Sequence, residues 1–177
     1  MFDVLYSSFP YLMKGAVYTA WMSVVTIIAG SLLGVILGIF VIYGPTALRR
    51  IITGYVFVIR GIPILVLMFL TYYALPALGV NIGDYVTVCG ALVIYCGAYV
   101  TEITRGAILA VPRTQFDAAK GVGMRLSQYL RLVIFPQAAR MSIPPMLNNC
   151  IMMVKSTAYV SIVGVWELSY AAREVAE

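Results

Sequence analysis

The stretch GAVYTAWMSVVTIIAGSLLGVILGIFVIY, residues 15–43, contains no charged side chain. An apolar run of 18 or more residues predicts a transmembrane helix. At a rise of about 1.5 Å per residue this run reaches about 40 Å, which is enough to cross a bilayer with tilt. A secretory signal peptide fits less well, because the run is too long for a signal h-region and no basic segment precedes it.

The composition of the whole chain supports a lipid environment. Hydrophobic residues make up 62% and charged residues 11% of 177 residues, whereas soluble domains carry about 25% charged residues. A soluble chain of this length could not hide so much apolar surface from water. The chain has no histidine, which excludes a His-based triad or metal site. Its three cysteines form no C-x-x-C pair and predict buried thiols rather than a zinc site or a disulfide framework.

Three further hydrophobic segments follow the first one. We predict spans at 15–43, 51–78, 85–111 and 141–164, a charged loop at 112–140, and an interfacial amphipathic segment at 165–177. This pattern predicts an all-α, polytopic transmembrane helix bundle that forms a single domain over residues 1–177.

The basic residues predict the orientation of the bundle. Arg49 and Arg50 follow the first span, six bases lie within or beside the loop 112–140, and the turn 79–84 has none. The positive-inside rule places the basic regions in the cytoplasm and the turn outside. Four crossings then place both chain ends, including the N-terminus, outside. Topology thus accounts for the net charge of +5, and no nucleic-acid partner is expected.

Glycines recur every fourth residue in the first span, at Gly30, Gly34 and Gly38. This spacing places them on one helix face, where two helix backbones can approach closely. We therefore predict a helix-packing seam. The alternative is the ordinary enrichment of glycine in membrane helices.

Two charged residues, Glu102 and Lys155, fall within predicted spans. Insertion of such charges costs roughly 2.5–3.5 kcal/mol, and they usually face a bundle interior or a water-filled path. We predict that both line a pathway. The alternatives are snorkelling to an interface and a structural ion pair, which for Glu102 would involve Arg105.

Two polar residues follow Lys155 within the fourth predicted span, which also contains Pro144 and Pro145. Ser156 and Thr157 bring hydroxyls, and a helix interrupted there could expose backbone groups to a small ligand. A phosphate-binding loop is excluded, because it needs glycines where Val154 and Asn149 stand. Energy for uphill transport would therefore come from a coupling ion or from another subunit.

The loop 112–140 predicts two short helices. Thr114 is suited to cap the first helix, which Gly121 and Gly123 would end. Ser127 is suited to cap the second, which Pro136 would end. Such a pair forms either a compact docking element or an ordinary interfacial connector.

This loop resembles the EAA loop of bacterial ABC-importer permeases, whose pattern is Glu-Ala-Ala, three residues, Gly, nine residues, Ile, one residue, Leu-Pro. Ala118, Ala119, Gly123 and Pro136 match with the same spacing, and conservative departures stand at Asp117, Val133 and Phe135. Three other stretches are similar to the polar amino acid (histidine/glutamine/glutamate/arginine) permeases: 60–63 (RGIP), 97–106 (GAYVTEITRG) and 155–157 (KST).

The resemblance implies a type I ABC-importer permease fold and a membrane-spanning subunit that helps to import a polar amino acid across the bacterial inner membrane. It implies an ATPase-docking loop with Asp117, Ala118, Ala119, Gly121, Gly123 and Pro136, and a substrate pathway with Tyr99, Glu102, Lys155, Ser156 and Thr157. The implied partners are a second permease, two ATPase subunits that bind ATP and magnesium, an outer substrate-binding protein and lipid. This chain itself is expected to bind no cofactor or metal and to perform no catalysis. Such permeases usually have a fifth span and a cytoplasmic tail. This sequence stops at Glu177, before either, so we expect either a truncated sequence or an unusual subunit.

Two other classes of function are possible. An ion-coupled carrier or channel without ATPase partners would not need the docking loop. An intramembrane enzyme is disfavoured by the absence of histidine, of paired intramembrane acids and of a metal-binding cluster.

Overall fold

The computed structural model describes residues 2–177, with side chains from Tyr6 onward, and its regular elements are all helical. The predicted all-α fold is confirmed. The α-helices are α1 Phe2–Tyr43, α2 Thr46–Gly61, α3 Ile64–Ala77, α4 Asp84–Ala110, α5 Arg113–Gly121, α6 Leu126–Tyr129, α7 Phe135–Ser156 and α8 Leu168–Ala176. A π-helical turn, Leu130–Ile134, joins α6 to α7, and a 3₁₀ segment, Thr157–Val163, continues α7.

Within residues 2–177, two unbroken helices are long and apolar enough to cross a membrane: Tyr6–Tyr43 of α1 and Asp84–Ala110 of α4. Two bent pairs would raise the number to four if each pair forms one span. These pairs are α2 with α3, bent by 104°, and Leu126–Val163 with α8, bent by 55°.

The hydrophobic segment 51–78 is divided between two helices instead of forming one. Ile62 is extended, with φ −95° and ψ 127°, and Pro63 follows it. A residue before proline is driven out of the helical region by the proline ring, and proline itself offers no backbone N–H. The polypeptide therefore turns between Gly61 and Ile64, and α3 leaves the direction of α2.

Helix α4 lies at the centre of the bundle, against α1, α2, α3 and α7. Its side chains at Val88, Leu92, Cys96 and Val100 are fully buried. The glycines of α1 allow the closest of these approaches, because ideal Cβ atoms on Gly30, Gly34 and Gly38 would stand 2.5, 2.4 and 2.5 Å from Cβ atoms of Cys96, Val100 and Thr104. Since both series rise in steps of four, α1 and α4 run parallel.

Helix α8 is fixed to the first half of α1 by a buried carboxylate. Glu167 is 1% exposed, and it caps α8 by accepting a hydrogen bond from the Tyr170 N–H at 3.0 Å. Its other oxygen accepts from the Thr19 hydroxyl at 2.9 Å. Trp166 packs beside it against Tyr11 and Tyr18. The segment 165–177 is thus partly enclosed by the bundle.

The ends of the two loop helices differ from the predictions. Thr114 lies inside α5 and is not its cap, because α5 begins directly after Pro112. Ser127 is not a cap either: α6 begins after Arg125, whose backbone N–H donates to Gln128 Oε1 at 2.8 Å.

Pro136 does not end a helix, contrary to the prediction from its residue type. The chain is helical from Leu126 through the π-turn to Ser156, and Pro136 is the second residue of α7. A proline ring normally clashes with the carbonyl four residues earlier. Here Pro136 follows a π-turn, in which the Phe135 N–H donates to the Leu130 carbonyl, five residues earlier.

Candidate functional site: a polar cavity and a docking loop

A cavity of about 650 Å³ lies between α3, α4 and the C-terminal half of α7. Apolar side chains form part of its wall, whereas amide, hydroxyl, phenol and ammonium groups form the remainder. Its lining residues are Ile64, Tyr95, Tyr99, Ile103, Pro145, Asn148, Asn149, Ile151, Met152, Lys155, Ser156 and Tyr159. Such a mixture of apolar walls and few polar groups is typical of small-molecule sites.

Two tyrosines of α4 form one wall of the cavity. Tyr95 and Tyr99 are four residues apart on α4, which places them on one face. Their hydroxyl oxygens are 3.1 Å apart and their ring centroids 4.9 Å apart. The Arg60 guanidinium lies 5.1 Å from the centroid of the Tyr99 ring, at a distance typical of a cation–π contact.

Asn149 contributes an acceptor without a partner. Asn149 is 4% exposed, and its Nδ2 donates to Cys96 Sγ at 3.3 Å. Its Oδ1 is buried and accepts no hydrogen bond within residues 2–177. Buried polar atoms are almost always satisfied, so this atom is an exception within the cavity wall, and only a movement of the side chain would bring it to a partner in the cavity. The sequence predictions did not include Asn149, although an amide in an apolar run was the available signal.

Lys155 and Ser156 line the cavity, whereas Thr157 does not. Lys155 is exposed and forms no ion pair with any residue that the structure describes. The Ser156 hydroxyl donates to the Met152 carbonyl at 2.8 Å, which leaves its oxygen free to accept. Thr157 is 1% exposed, and its hydroxyl donates to the Val154 carbonyl at 2.7 Å.

The helix changes from α to 3₁₀ geometry directly after these residues, at Thr157. Such a change within a helix often marks a hinge or a functional site.

Glu102 is not one of the residues that line the cavity. The negative charge of its carboxylate is compensated by neighbouring arginines. This carboxylate accepts three charge-assisted bonds from Arg105, at 3.0 and 3.3 Å from Nε and at 2.8 Å from Nη2. Arg60 Nη1 of α2 lies 3.9 Å from Oε2. These contacts correspond to the structural ion pair that the sequence left open. The cluster also includes Arg60, which the sequence analysis named only as part of the family-like stretch 60–63 and not as a partner of Glu102.

Helix α5 of the loop ends in a well-defined turn at Gly123. This glycine has a φ of 76°, in the left-handed region that only glycine adopts readily. The Gly123 N–H donates to the Lys120 carbonyl at 2.9 Å and the Met124 N–H donates to the Ala119 carbonyl at 3.1 Å. Both bonds together form a Schellman motif, which satisfies the last carbonyls of the helix.

The loop is packed onto the membrane helices at several points. Ala119 is 5% exposed, whereas Asp117, Ala118 and Gly121 face outward. Phe116 packs edge-on against Tyr129, with centroids 6.2 Å apart, and belongs to the core formed by the ends of α1, α4 and the π-turn. Gln115 accepts a bond from Gln137 of α7 at 3.3 Å. Helix α5 is thus joined to α7 by a side-chain hydrogen bond, and Lys155 lies near the other end of α7.

Comparison with known proteins gives a consistent result. A family model described as "Binding-protein-dependent transport system inner membrane component" matches residues 28–176. The L-cystine transport system permease protein TcyB of Bacillus subtilis is 36% identical over 174 residues, which cover 98% of this chain and 74% of the relative. The glutamine transport system permease protein GlnP of Escherichia coli is 31% identical over 175 residues, which cover 98% of this chain and 80% of the relative.

Solved structures agree with these sequence matches. A chain in the crystal structure of an amino acid ABC transporter with histidines is 31% identical, has a TM-score of 0.92, and is matched over 99% of this chain and 82% of its own length. A chain of the MetNI methionine ABC transporter in an inward facing conformation, 21% identical, has a TM-score of 0.77 over 92% of this chain and 79% of its own, which shows the shared fold alone. None of these comparisons supports the carrier or channel alternative. The chain belongs to the family of inner membrane components of binding-protein-dependent transport systems.

Proposed function

We propose that this chain is the membrane-spanning permease subunit of an ATP-driven importer, and that it moves a polar amino acid across the bacterial inner membrane. In the complete transporter it faces a second permease, two ATPase subunits dock on the loop, and an outer binding protein delivers substrate. ATP and magnesium bind in the ATPase partners. The chain ends lie outside and the loop lies in the cytoplasm, as the positive-inside rule predicts.

The polar cavity carries this proposal. An amino acid zwitterion needs an anion-binding group and acceptors for its ammonium group. The Lys155 ammonium, which has no ion-pair partner in the described chain, is suited to the carboxylate. The Tyr95 and Tyr99 hydroxyls are suited to accept hydrogen bonds from the ammonium group. The buried Asn149 Oδ1 would become a further acceptor if its side chain turned toward the cavity. Each end of the substrate then has polar groups of the cavity suited to bind it.

Glu102 has a different role in this proposal. Its carboxylate is held by Arg105 at 2.8 Å and approached by Arg60 at 3.9 Å. We therefore assign it to an ionic cluster that joins α2 to α4 beside the cavity, in place of a direct contact with the substrate ammonium. Thr157, whose hydroxyl bonds to the helix backbone, supports the cavity wall without lining it.

Coupling to ATP follows from the attachment of α5. A ligand shifts a conformational equilibrium only by the difference of its affinities for the two states. ATP binding in the partner subunits would favour one arrangement of α5. Because Phe116 and Gln115 join α5 to the ends of α1, α4 and α7, the same shift would alter access to the cavity at the other end of α7.

The test is uptake by the complete transporter in liposomes with binding protein outside and ATP inside. We expect accumulation of a polar amino acid that requires ATP and that persists when ionophores abolish all ion gradients. Uptake that an ion gradient drives without ATP would support the carrier class and overturn the proposal.

A further inference from the structure

A second cavity, of about 430 Å³, lies where the C-terminal ends of α1 and α4 meet α5. We call it the basic cleft. Its polar lining residues are Tyr43, Arg113, Asp117, Lys120 and Tyr129, and its apolar ones are Ile42, Ile108, Leu109, Val111 and Phe116. We propose that this cleft binds an anionic phospholipid, with the phosphate between Arg113 and Lys120. The proposal rests on the cytoplasmic location of the loop given under the proposed function.

The charges in the cleft favour a single anion. Arg113, Asp117 and Lys120 stand at intervals of four and three residues, which places them on one face of α5. None of the three forms an ion pair with a residue that the structure describes. Two bases and one acid leave an excess of one positive charge. Arg49 adds another base nearby, because its Nη2 donates to the carbonyl of the lining residue Ile42 at 3.1 Å.

An apolar crevice adjoins the basic cleft and leads away from α5. It has a volume of about 270 Å³ between α1, α4 and α7. The two cavities share Ile108 as a lining residue. On α1, Val35 and Ile39 line the crevice and Ile42 lines the cleft, so that one helix face forms a wall about 10 Å long.

This combination fits a lipid better than a soluble anion or a protein side chain. A soluble phosphate would use only the basic cleft and would leave the apolar crevice without an occupant. An acyl chain is suited to a crevice between membrane helices, and an anionic headgroup is attracted to basic groups at the cytoplasmic boundary. Tyr43 and Tyr129, which line the cleft, are of the residue type that is enriched at headgroup level.

The cleft leaves another face of α5 for the ATPase. Thr114, Ala118 and Gly121 lie one position beyond the cleft-lining residues, are exposed, and do not line the cleft. Lipid and ATPase therefore occupy different faces of one short helix. The lipid would hold α5 against α1 and α4, on which the coupling movement depends.

The experiment uses the complete transporter with its ATPase subunits, incubated in detergent with equal amounts of phosphatidylcholine and phosphatidylglycerol. Native mass spectrometry counts the lipids that remain on the mass-selected intact assembly, without substrate or ATP. We expect phosphatidylglycerol to be retained on the unaltered protein. In Arg113→Gln/Lys120→Gln its affinity should fall roughly 30-fold, as two bases near an anionic headgroup imply. If the double variant does not assemble, each single variant should show a smaller loss.

Matched controls come from the same loop. Arg125→Gln/Arg131→Gln removes the same charge from exposed residues that do not line the cleft, and it should retain phosphatidylglycerol. Equal retention in the two double variants would overturn the proposal. So would unchanged retention in Arg113→Gln/Lys120→Gln accompanied by loss of ATPase subunits from the preparation, because the cleft would then belong to the ATPase.

A third variant separates the lipid from a free phosphate group. Ala139 is exposed and lines the crevice, so that Ala139→Phe should fill the crevice and lower phosphatidylglycerol retention while the bases remain. A site for a soluble anion would give two other results: millimolar glycerol phosphate would displace the lipid, and Ala139→Phe would leave phosphatidylglycerol retention unchanged. This outcome would contradict the lipid assignment. Since no step requires transport, these outcomes do not depend on the uptake experiment.

Discussion

Gly34 of α1 lies against Val100 of α4 so closely that a Cβ atom built on the glycine would stand 2.4 Å from the valine Cβ and 2.7 Å from the Gly97 carbonyl oxygen. The second of these atoms belongs to the backbone of the central helix, so it cannot yield by a change of rotamer. Glycine at this position is thus required by the distance between two parallel helices. It sets how near α1 comes to the helix that carries Tyr99 and Glu102.

We predict that Gly34→Ala destabilises the protein although alanine is the better helix former. Overpacking of a core costs typically about 1–3 kcal/mol, and the melting temperature of the purified transporter should fall. Gly54→Ala is the matched control, because a Cβ on Gly54 of α2 meets nothing within 4 Å. A Gly34→Ala variant as stable as the Gly54→Ala variant would contradict the assigned seam.

Sequence patterns predicted the membrane class and the helical fold, because long apolar runs have few other interpretations. They did not predict the turn at Pro63, because residues 51–78 were taken as one span although the stretch RGIP at 60–63 interrupts the apolar run. The sequence did not predict that the helix continues through Pro136, because a π-turn is a feature of the backbone geometry that residue types do not specify. Asn149 and Arg60 gain their roles from contacts with α4, at Cys96 and Glu102, which are remote in sequence.

The turn after α5 gives a second prediction. Gly123 has a φ of 76°, so Gly123→Val should strain the Schellman turn and disturb the face that we propose as the docking site of the ATPase. We expect reduced co-purification of the ATPase, or ATP hydrolysis that no longer drives uptake, while the permease still assembles in the membrane.

A glycine outside the loop provides the control. Gly54 lies within α2, has no positive φ, and a Cβ built on it meets nothing within 4 Å. Gly54→Val should therefore keep both ATPase binding and coupled uptake. Normal uptake in Gly123→Val would count against the docking assignment.

The orientation can be checked with single cysteines, after replacement of the three native ones. A cysteine at Asn81, in the turn without bases, should react with an impermeant maleimide in intact cells. One at Arg125, in the basic loop, should react only after permeabilisation. The opposite labelling pattern would invert the topology and would remove the loop from the cytoplasm.

The ionic cluster predicts that Glu102→Gln and Arg105→Gln have similar effects. Glu102→Gln leaves Arg105 and Arg60 without their carboxylate, whereas Arg105→Gln leaves Glu102 with Arg60 alone. The side chains of Glu102 and Arg105 are partly exposed, at 29% and 38%. Because exposed pairs contribute roughly 0.2–1 kcal/mol, we expect only a modest fall in melting temperature. Substrate affinity should change by a similar small factor in both. If Glu102→Gln strongly lowered substrate affinity while Arg105→Gln left it unchanged, Glu102 would instead contact the substrate.

Lys155 should bind the substrate carboxylate directly, and its replacement should weaken binding more than any change in the ionic cluster. Hydrogen bonds to charged groups contribute about 1.5–3 kcal/mol, so Lys155→Met should raise the Kd roughly 10- to 100-fold, and Lys155→Arg should restore part of the affinity. The measurement is equilibrium binding of the transported amino acid to the purified transporter without its outer binding protein, so that selectivity of that protein does not enter. Lys14→Met removes the same charge from α1, outside the cavity lining, and should leave the Kd unchanged. Equal affinities of the Lys155→Met and Lys14→Met variants would show that Lys155 does not line the substrate pathway.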